Sequence, residues 1–212
     1  MVCILISGIP ASGKSYFSEY LSSYLDVPSI SKDSIKEILF DAIGFSSREE
    51  KIHLDEAATL SMLYCAECFM KHNKVFIIES NFDRKSKPQL VELINQYNYK
   101  SITVSLTGEY TTIYKRLILR NKSSARHPGH IVNDYYPREV VEKDYYAISF
   151  ENFVDEIEKR EMDAFCVGDI CLRIDTTRIK EVNWESVANV VKNDVSRCLS
   201  NSKGNRQNEK NR

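Results

Sequence analysis

The stretch Gly8-Ile9-Pro10-Ala11-Ser12-Gly13-Lys14-Ser15 fits the pattern G-x-x-x-x-G-K-[ST] at every fixed position. A short apolar run over residues 2–6 precedes it and predicts a buried strand. The segment after it, residues 16–25, carries apolar side chains at helical spacing and predicts a helix. Strand, glycine loop and helix form the context in which this pattern cradles phosphate groups. We therefore interpret residues 8–15 as a P-loop rather than as a glycine-containing turn that binds nothing.

The residue types of this loop suit Mg-ATP. Backbone N–H groups of the loop and of the helix N-terminus form a nest for phosphate oxygens. Gly8 and Gly13 are expected to adopt positive φ, which lets the backbone approach the phosphates. Lys14 is predicted to bridge the β- and γ-phosphates, and the Ser15 hydroxyl to ligate Mg²⁺. The predicted nucleotide-binding residues here are Gly8, Ile9, Pro10, Ala11, Ser12, Gly13, Lys14, Ser15 and Tyr16.

A carboxylate follows the second predicted strand. Asp33 opens a predicted helix at the strand's C-terminal edge, where it would face the phosphate site. An acceptor hydroxyl loses its proton as it attacks the γ-phosphoryl, so Asp33 is a candidate base. Its residue type also suits a helix N-cap, and one residue can fill both roles. Lys36, one turn later, is either an acceptor contact or a surface charge.

The third predicted strand also ends in an acid. Four apolar residues lead to Glu79, in the manner of a Walker B strand that places a carboxylate beside the metal. We predict that Ser15 and Glu79 form the Mg²⁺ site. The alternative is that Glu79 ends the strand without a functional role.

Two further segments are candidates for closing over the nucleotide. Arg116 and Arg120 are four residues apart and share one helical face, and Arg126 follows in Arg-His-Pro-Gly-His. Arg120 and Arg126 are predicted to be catalytic, as arginine fingers, and Arg116 to bind nucleotide; a solvated basic face is the alternative. His127 and His130 are expected to contact phosphate or acceptor. Thr177, in Asp-Thr-Thr after the last strand, is a weaker candidate for the adenine loop.

Apolar runs alternate with helical patterns along the chain. Strands are predicted over residues 2–7, 29–31, 75–78, 101–106 and 171–174, the last pairing through a Gly168-Asp169 turn with residues 164–167. Helices are predicted over residues 16–25, 34–43, 49–72, 88–97 and 110–119, and from Trp184 onward. This alternation predicts a three-layer α/β P-loop fold with a mainly parallel five-stranded sheet. Residues 1–200 would form one domain with a helical lid at about 109–138, and residues 201–212 a flexible tail.

Composition and hydropathy argue against a strongly charged nucleic-acid-binding protein and against a membrane protein. The 212 residues are 42% hydrophobic and 28% charged with a net charge of −1, so no overall charge draws the chain to nucleic acid or membrane. No signal peptide or span of ~20 apolar residues is visible, and a cytoplasmic protein with no membrane partner is expected. The six cysteines are interpreted as buried free thiols, although Cys65-x-x-Cys68 has the spacing of half a zinc site or of a redox pair.

On these motifs the chain resembles small P-loop kinases of the branch that includes the phage polynucleotide kinase domain, zeta toxins and many bacterial AAA-type ATP-binding proteins. The resemblance covers residues 2–177 and rests on the P-loop, Asp33, Glu79-Ser80-Asn81 and the arginine lid. It implies that Lys14 and Ser15 bind phosphates and Mg²⁺, that Asp33 is the base, and that the sheet order is 2-3-1-4-5. Glu79 and Lys36 replace the aspartate and arginine of polynucleotide kinases, which argues against a nucleic-acid substrate.

The leading hypothesis is an ATP-dependent phosphotransferase acting on a hydroxyl of a small molecule. A nucleotide switch is the second; Asn121-Lys122-Ser123-Ser124 lacks the aspartate of the guanine-reading motif, which disfavours a GTPase. A 5′-hydroxyl kinase of nucleic acid is the third, because bases could stack on Tyr135, Tyr136, Tyr145 and Tyr146 near Arg126 and Arg138. The sequence leaves the acceptor and the oligomeric state open.

Overall fold

The computed structural model describes residues 1–137, 148–168 and 170–209, with residues 201–209 described by their backbone alone. The strands are β1 (Val2–Gly8), β2 (Ser29–Ser31), β3 (Phe76–Glu79), β4 (Lys100–Thr107) and β5 (Ile170–Asp175). The helices are α1 (Lys14–Leu25), α2 (Lys32–Ile43), α3 (Arg48–Lys71), α4 (Lys87–Gln96), α5 (Tyr110–Lys122), α6 (Pro128–Ile131), α7 (Phe150–Arg160) and α8 (Trp184–Glu209), with a 3₁₀ turn at Ile179–Glu181. Arg138, Tyr145, Tyr146, Asp169 and residues 210–212 lie outside the described residues.

The strands form one parallel sheet in the order β2-β3-β1-β4-β5. β1 lies at its centre, with Ile4 opposite Ile77 of β3 and Ile102 of β4. Strand order reverses beside β1, and ligands of open α/β sheets bind at such a point, outside the strands' carboxyl ends. The predicted α/β fold and the implied sheet order are confirmed, and the loop after β1 lies at the expected binding edge.

Helices cover both faces of the sheet, because successive residues of β1 point to opposite sides. Cys3 and Leu5 pack against α3 and α4, whereas Ile4 and Ile6 pack against α1 and α8. All of these strand residues are fully buried. The sheet is therefore held between two helical layers and provides a rigid support for the loops at its edge.

Two smaller clusters shape the region above this edge. Ile113 and Leu117 of α5 pack against Phe153 and Ile157 of α7. On the other side, Phe40 of α2 and Leu54 of α3 pack with Phe45 and Val132. These clusters position α2, α3 and α5 around the mouth of the P-loop.

Some sequence predictions were wrong in detail. Residues 164–167 form no strand, because Val167 exchanges hydrogen bonds with the side chain of Thr103 in β4 (3.0 and 2.7 Å) instead of a backbone ladder. Neither α6 nor α7 was among the predicted helices. The cysteine of α3 at position 65, interpreted as a buried thiol, is only half-buried. The buried residues of this helix are instead spaced four apart: Leu54, Ala58, Met62, Ala66 and Met70.

The termini and cysteines add three findings. Backbone helix in α8 extends to Glu209, over much of the segment predicted as a flexible tail. Cys166 and Cys171 are bonded as a disulfide, which corrects the expectation of free thiols for this pair, whereas Cys3, Cys65 and Cys68 are free. Within the described residues, no helix has the length and apolar character needed to traverse a bilayer.

Candidate active site

The P-loop adopts the backbone geometry that its glycines allow. Gly8 and Gly13 have φ of 139° and 99°, as predicted, and Ala11 adopts the left-handed region at φ 64°. A Cβ on Gly8 would overlap the carbonyl oxygen of Leu106 in β4, so this position accepts only glycine. Gly13 lies directly before α1 and leads the chain into the helix N-terminus. The loop therefore presents the amides of a helix start toward the cavity.

Lys14 is buried and faces two carboxylates. Its ammonium group donates a hydrogen bond to the Ile9 carbonyl at 3.0 Å, which holds the side chain over the loop. Burial lowers the pKa of Lys14 to about 8, and the charges of Glu79 and Asp33 oppose that shift. A triphosphate bound here would favour the charged ammonium further.

Glu79 joins the P-loop to the start of α2. It is 3% exposed, and its Oε2 atom accepts hydrogen bonds from the hydroxyls of Ser31 (2.8 Å) and Ser15 (3.4 Å). Burial raises the pKa of Glu79, although the nearby Lys14 ammonium and the Ser31 hydroxyl oppose the shift. A carboxylate and a serine hydroxyl are the hard oxygen donors that Mg²⁺ takes beside substrate phosphates, so Ser15 and Glu79 suit a magnesium ion.

Asp33 lies at the first turn of α2 and opens onto the same cavity. Burial raises the pKa of Asp33, but His130, Arg126, Lys36 and Lys14 together outweigh it and hold the pKa below its ordinary value. Arg126 is the nearest cation, with 3.9 Å between Nη1 and Oδ2. The N-cap of α2 is Ser31, whose hydroxyl oxygen accepts from the Ser34 amide, so Asp33 is not needed as a cap.

Arg120 and Arg126 project into this cavity with donors to spare. The Nε atoms of both are buried and find no hydrogen-bond partner among the described residues. Burial and the neighbouring Arg120 lower the pKa of Arg126 to about 10. Two adjacent guanidinium groups with unused donors form a site for an anion.

Arg116 lies on the same face of α5 but is tied to the loop after β5. One of its terminal nitrogens donates to the carbonyl oxygens of Thr176 and Thr177. The Thr177 hydroxyl accepts from the Glu109 amide at 2.8 Å, and a Cβ on Gly108 would meet the Thr177 nitrogen at 2.8 Å. Glycine at position 108 thus allows the loop after β4 to contact the loop after β5, beside the P-loop.

One cavity of about 680 Å³ brings most of the predicted residues together. Its lining includes Pro10, Ala11, Gly13, Lys14, Ser15, Tyr16, Asp33, Glu79, Arg116, Arg120, Arg126 and His130. Thr177 is not part of the lining and reaches it only through Arg116, while Gly8, Ile9 and Ser12 support the loop from behind.

The Arg-His-Pro-Gly-His segment is explained by its contacts with α2. His127 pairs with Asp41 at 3.0 Å and accepts from the Gly129 amide, and His130 pairs with Glu37 at 2.9 Å. A Cβ on Gly129 would overlap the Phe40 ring. Both histidines were expected to contact phosphate or acceptor; instead His127 acts as a tie to α2, and only His130 also lines the cavity.

We call residues 123–137, which include Arg-His-Pro-Gly-His, the lid segment. Its C-terminal part is also attached to α2, to α3 and to the connection between them. Tyr136 exchanges backbone hydrogen bonds with Phe45 (2.7 and 2.8 Å) and donates its hydroxyl to Asp41. Lys51 donates to the Val132 carbonyl and to Asn133 Oδ1. The lid segment therefore forms one wall of the cavity, with α2 and α3 behind it.

Sequence reasoning missed several residues of this wall. Lys51 and Asp55 lie four apart on α3 and both line the cavity, and Asp55 binds Lys32 and Lys36 at 2.8 and 2.6 Å. Lys36 therefore faces the cavity rather than solvent. The spacing of Lys51 and Asp55 places them on one face of a helix and was the only sign in the sequence of their role. An ordinary pair of surface charges has the same spacing, so the sequence does not distinguish the two cases.

The arrangement can hold a chain of phosphate groups at the P-loop, a metal ion between Ser15 and Glu79, and a second molecule near Asp33. Cations from three elements, Lys14, Arg120 and Arg126, face the point where these would meet. These are the groups required to move a phosphoryl group between two oxygens.

Solved structures with this fold include several kinases. A candidate kinase from Chloroflexus aurantiacus J-10-fl is 22% identical, with a TM-score of 0.74 and coverage of 93% of this chain and 97% of that one. A gluconokinase from Sinorhizobium meliloti 1021 is 13% identical (TM-score 0.54, 96% of both chains). A shikimate kinase from Bacteroides thetaiotaomicron is 17% identical (TM-score 0.52, 92% and 98%). No curated protein matches this sequence significantly.

The family model described as an AAA domain matches residues 4–136, which include the P-loop, Asp33, Glu79 and the lid segment up to Tyr136. This span is more than half of the chain and contains most of the cavity lining described above. The chain therefore belongs to the AAA domain family and has the fold of P-loop kinases.

Proposed function

We propose that this protein transfers the γ-phosphoryl group of Mg-ATP to a hydroxyl of a small molecule. One observation carries the proposal: a candidate base, Asp33, and a candidate metal ligand, Glu79, face the same cavity as the P-loop lysine, Lys14. A switch that hydrolyses nucleotide can also use a side chain at this position to orient the attacking water, so acceptor-dependent product formation is what separates the two functions.

The roles follow from the contacts. Lys14 and the loop amides would hold the β- and γ-phosphates, and Ser15 and Glu79 would hold Mg²⁺, which neutralises developing charge on the phosphoryl oxygens. Arg120 and Arg126 would bind the equatorial oxygens of the transferring group with their unused donors. Asp33, whose pKa is lowered, is a weak base and would accept the proton late, as the acceptor oxygen bonds to phosphorus.

The nucleotide base would lie on the α5 side. Arg116 and Thr177 link α5 to the loop after β5, and the side chain of Ile179 in that loop would be 2.7 Å from a Cβ on Gly13. Tyr16 is exposed beside Trp184, with ring centroids 5.8 Å apart, and offers a flat surface next to the P-loop. We assign these groups to ATP rather than to the acceptor.

A nucleic-acid acceptor is less well supported. Tyr136, one of the tyrosines considered for base stacking, donates its hydroxyl to Asp41 and stacks on Phe45. It is therefore used in the lid segment, and Tyr145 and Tyr146 lie outside the described residues. The gluconokinase and shikimate kinase with the same fold are named for small hydroxyl compounds. That naming supports a small acceptor here.

The test is a screen of hydroxyl compounds with Mg-ATP, scored by acceptor-dependent ADP and by the mass of the phosphorylated product. Asp33→Asn should lower product formation by roughly 10²–10⁴-fold, the usual contribution of a general base. Asp155→Asn, an exposed change on α7 outside the cavity, is the matched control and should leave the rate unchanged. ADP release that needs no acceptor and survives Asp33→Asn would contradict the proposal.

A further inference from the structure

Positive charge is concentrated where α2, α3 and the lid segment line the cavity. Lys36, Arg48, Lys51 and Arg126 all face this part, which we call the acceptor end. Among the described residues, the carboxylates that line it are Asp33 and Asp55. The acceptor end therefore carries more cations than acids before any ligand is considered.

Both carboxylates are already engaged. Asp55 lies between Lys32 and Lys36, at 2.8 and 2.6 Å. Asp33 is 3.9 Å from Arg126. Arg48 and Lys51 are thus left without a carboxylate partner within the part of the chain that the structure describes. The positive charges of these two groups of α3 can attract an anion from outside the protein, although the ammonium of Lys51 already donates to neutral oxygens.

Lys51 is held in place by neutral groups. Its ammonium donates to the carbonyl of Val132, to Oδ1 of Asn133 (3.1 Å) and, over a longer distance, to the carbonyl of His130 (3.4 Å), and it lies 5.9 and 5.6 Å from the ring centres of Phe40 and Phe45. These neutral oxygens take its three donors without neutralising its charge, and Asp55 is the acid that partly offsets it. An anion would therefore act on Lys51 through its charge or by replacing the long contact to His130. Burial and the nearby Lys36, Arg48 and Arg126 lower the pKa of Lys51, which reflects the same crowding of cations.

Such a cluster is unfavourable in the protein alone, because like charges repel and burial removes Lys51 and Arg126 from water. A neutral acceptor would gain little from it. An anionic acceptor would satisfy Lys51 and Arg48 and relieve their repulsion from Lys36 and Arg126. The cluster therefore complements a negative charge on the acceptor itself, separate from the phosphates at the P-loop.

We propose that the acceptor carries a carboxylate or phosphate group in addition to the hydroxyl that is phosphorylated, and that Lys51 and Arg48 bind this group. The inference rests on the proposed function, which puts the reacting hydroxyl at Asp33. An acceptor that places a hydroxyl at Asp33 and a carboxylate or phosphate at Lys51 and Arg48, all lining the same cavity, is a hydroxy acid or a polyol phosphate.

The first experiment uses inorganic phosphate as the probe. The P-loop is first saturated with Mg²⁺ and a non-hydrolysable ATP analogue, whose binding is measured by calorimetry; phosphate is then titrated. Wild-type protein should bind phosphate, and Arg48→Met and Lys51→Met should each weaken it about tenfold or more. Arg48 is exposed at the start of α3, so its variant remains informative if Lys51→Met fails to fold. Lys115→Met, an exposed change on α5, is the matched control.

The second experiment compares acceptors in matched sets: glycerol, glycerate and glycerol 3-phosphate, then glucose, gluconate and glucose 6-phosphate. We expect kcat/KM for the anionic members of each set to be at least tenfold higher than for the neutral member. Comparing the carboxylate with the phosphate compound shows which of the two anionic groups the site prefers. Arg48→Met should reduce that preference.

The outcomes are distinguishable. Failure of the ATP analogue to bind would contradict the proposed function. Analogue binding with no phosphate binding, or phosphate binding that neither variant weakens, would overturn the anionic acceptor, as would neutral members used equally well. If no compound in the sets is phosphorylated, the phosphate titration alone decides.

Discussion

The hydroxyl of Ser31 donates a hydrogen bond to Oε2 of Glu79 at 2.8 Å. The same hydroxyl oxygen accepts from the Ser34 amide as the N-cap of α2, the helix that carries Asp33. One serine thus connects the acid at the end of β3 with the helix that positions the candidate base. The register of β2 against β3 places Ser31 opposite Glu79 and makes this contact possible.

Ser31→Ala should reduce both stability and metal use. Loss of the cap should lower the free energy of unfolding by about 1 kcal/mol, and loss of the bond to Glu79 should raise the Mg²⁺ concentration needed for half-maximal activity. Ser47→Ala is the matched control. The Ser47 hydroxyl caps α3 by accepting from the Glu50 amide, as Ser31 does for α2, but it has no contact with Glu79. Urea unfolding and Mg²⁺ titration of activity measure the two effects. Equal effects of both substitutions on the Mg²⁺ requirement would contradict the role given to Ser31.

Glu79→Gln should separate stability from function. Because burial raises the pKa of Glu79, the folded state binds its proton more tightly than the unfolded state, and ionised Glu79 costs stability as the pH rises above the ordinary glutamate value of 4.5. The variant should therefore have a higher Tm than wild type at pH 7 without metal, and a weaker Mg²⁺ response. Tm measured from pH 4 to 8, with and without Mg²⁺, checks both; an unchanged Mg²⁺ response would remove Glu79 from the metal site.

Much of the fold follows from local patterns. β1 is buried on both faces and reads as a continuous apolar run, and the P-loop after it fixes the position of α1. α7 could have been found, since Ser149 caps it and Phe153 and Ile157 are four residues apart. Residues 164–167 were mistaken for a strand because Phe165 and Val167 are buried in the core, while the backbone groups of Val167 bond to the side chains of Thr103 and Ser101.

The site was predictable where motifs are contiguous and not where it is assembled from distant segments. Lys14, Ser15 and Glu79 follow directly from a loop and a strand end. Lys51 could not be recognised, because its partners Val132 and Asn133 are about eighty residues away and contribute neutral oxygens. The pairing of His127 and His130 with carboxylates could not be recognised for the same reason, because those partners lie on α2.

The acceptor KM should depend on pH through Lys51. Burial, followed by Lys36 of α2, Arg48 of α3 and Arg126 of the lid segment, lowers the pKa of Lys51 to about 7, against the opposing charge of Asp55. An anion binds the charged form, so the KM of an anionic acceptor should rise as the pH increases from 7 to 9. Lys51→Arg should flatten this rise, because arginine stays charged.

Lys14 also titrates near this range, with a pKa of about 8, so the KM of the acceptor is measured with ATP saturating and the KM of ATP is measured separately. A rise in acceptor KM that is identical in Lys51→Arg would assign the effect to another group.

Gly129→Ala should loosen the lid segment. Gly129 is helical, so alanine suits its backbone, but the added Cβ would overlap the Phe40 ring. Overpacking of this kind costs about 1–3 kcal/mol, and the wall that carries His130 and Asn133 would shift. Phe40→Leu in the same chain should recover part of the loss by making room. Denaturant unfolding of both single variants and of the double variant forms the cycle, and strictly additive losses would contradict the contact.

The central claim is that residues 8–15 hold the triphosphate of ATP, and calorimetric titration of the wild-type protein with Mg-ATP tests it most directly. We predict saturable heat with one site per chain, weaker or absent heat with Mg-GTP, and at least tenfold weaker binding of Mg-ATP by Lys14→Ala, because the ammonium between the loop and Glu79 is lost. No heat for either nucleotide, or Mg-ATP binding that Lys14→Ala leaves unchanged, would contradict the account.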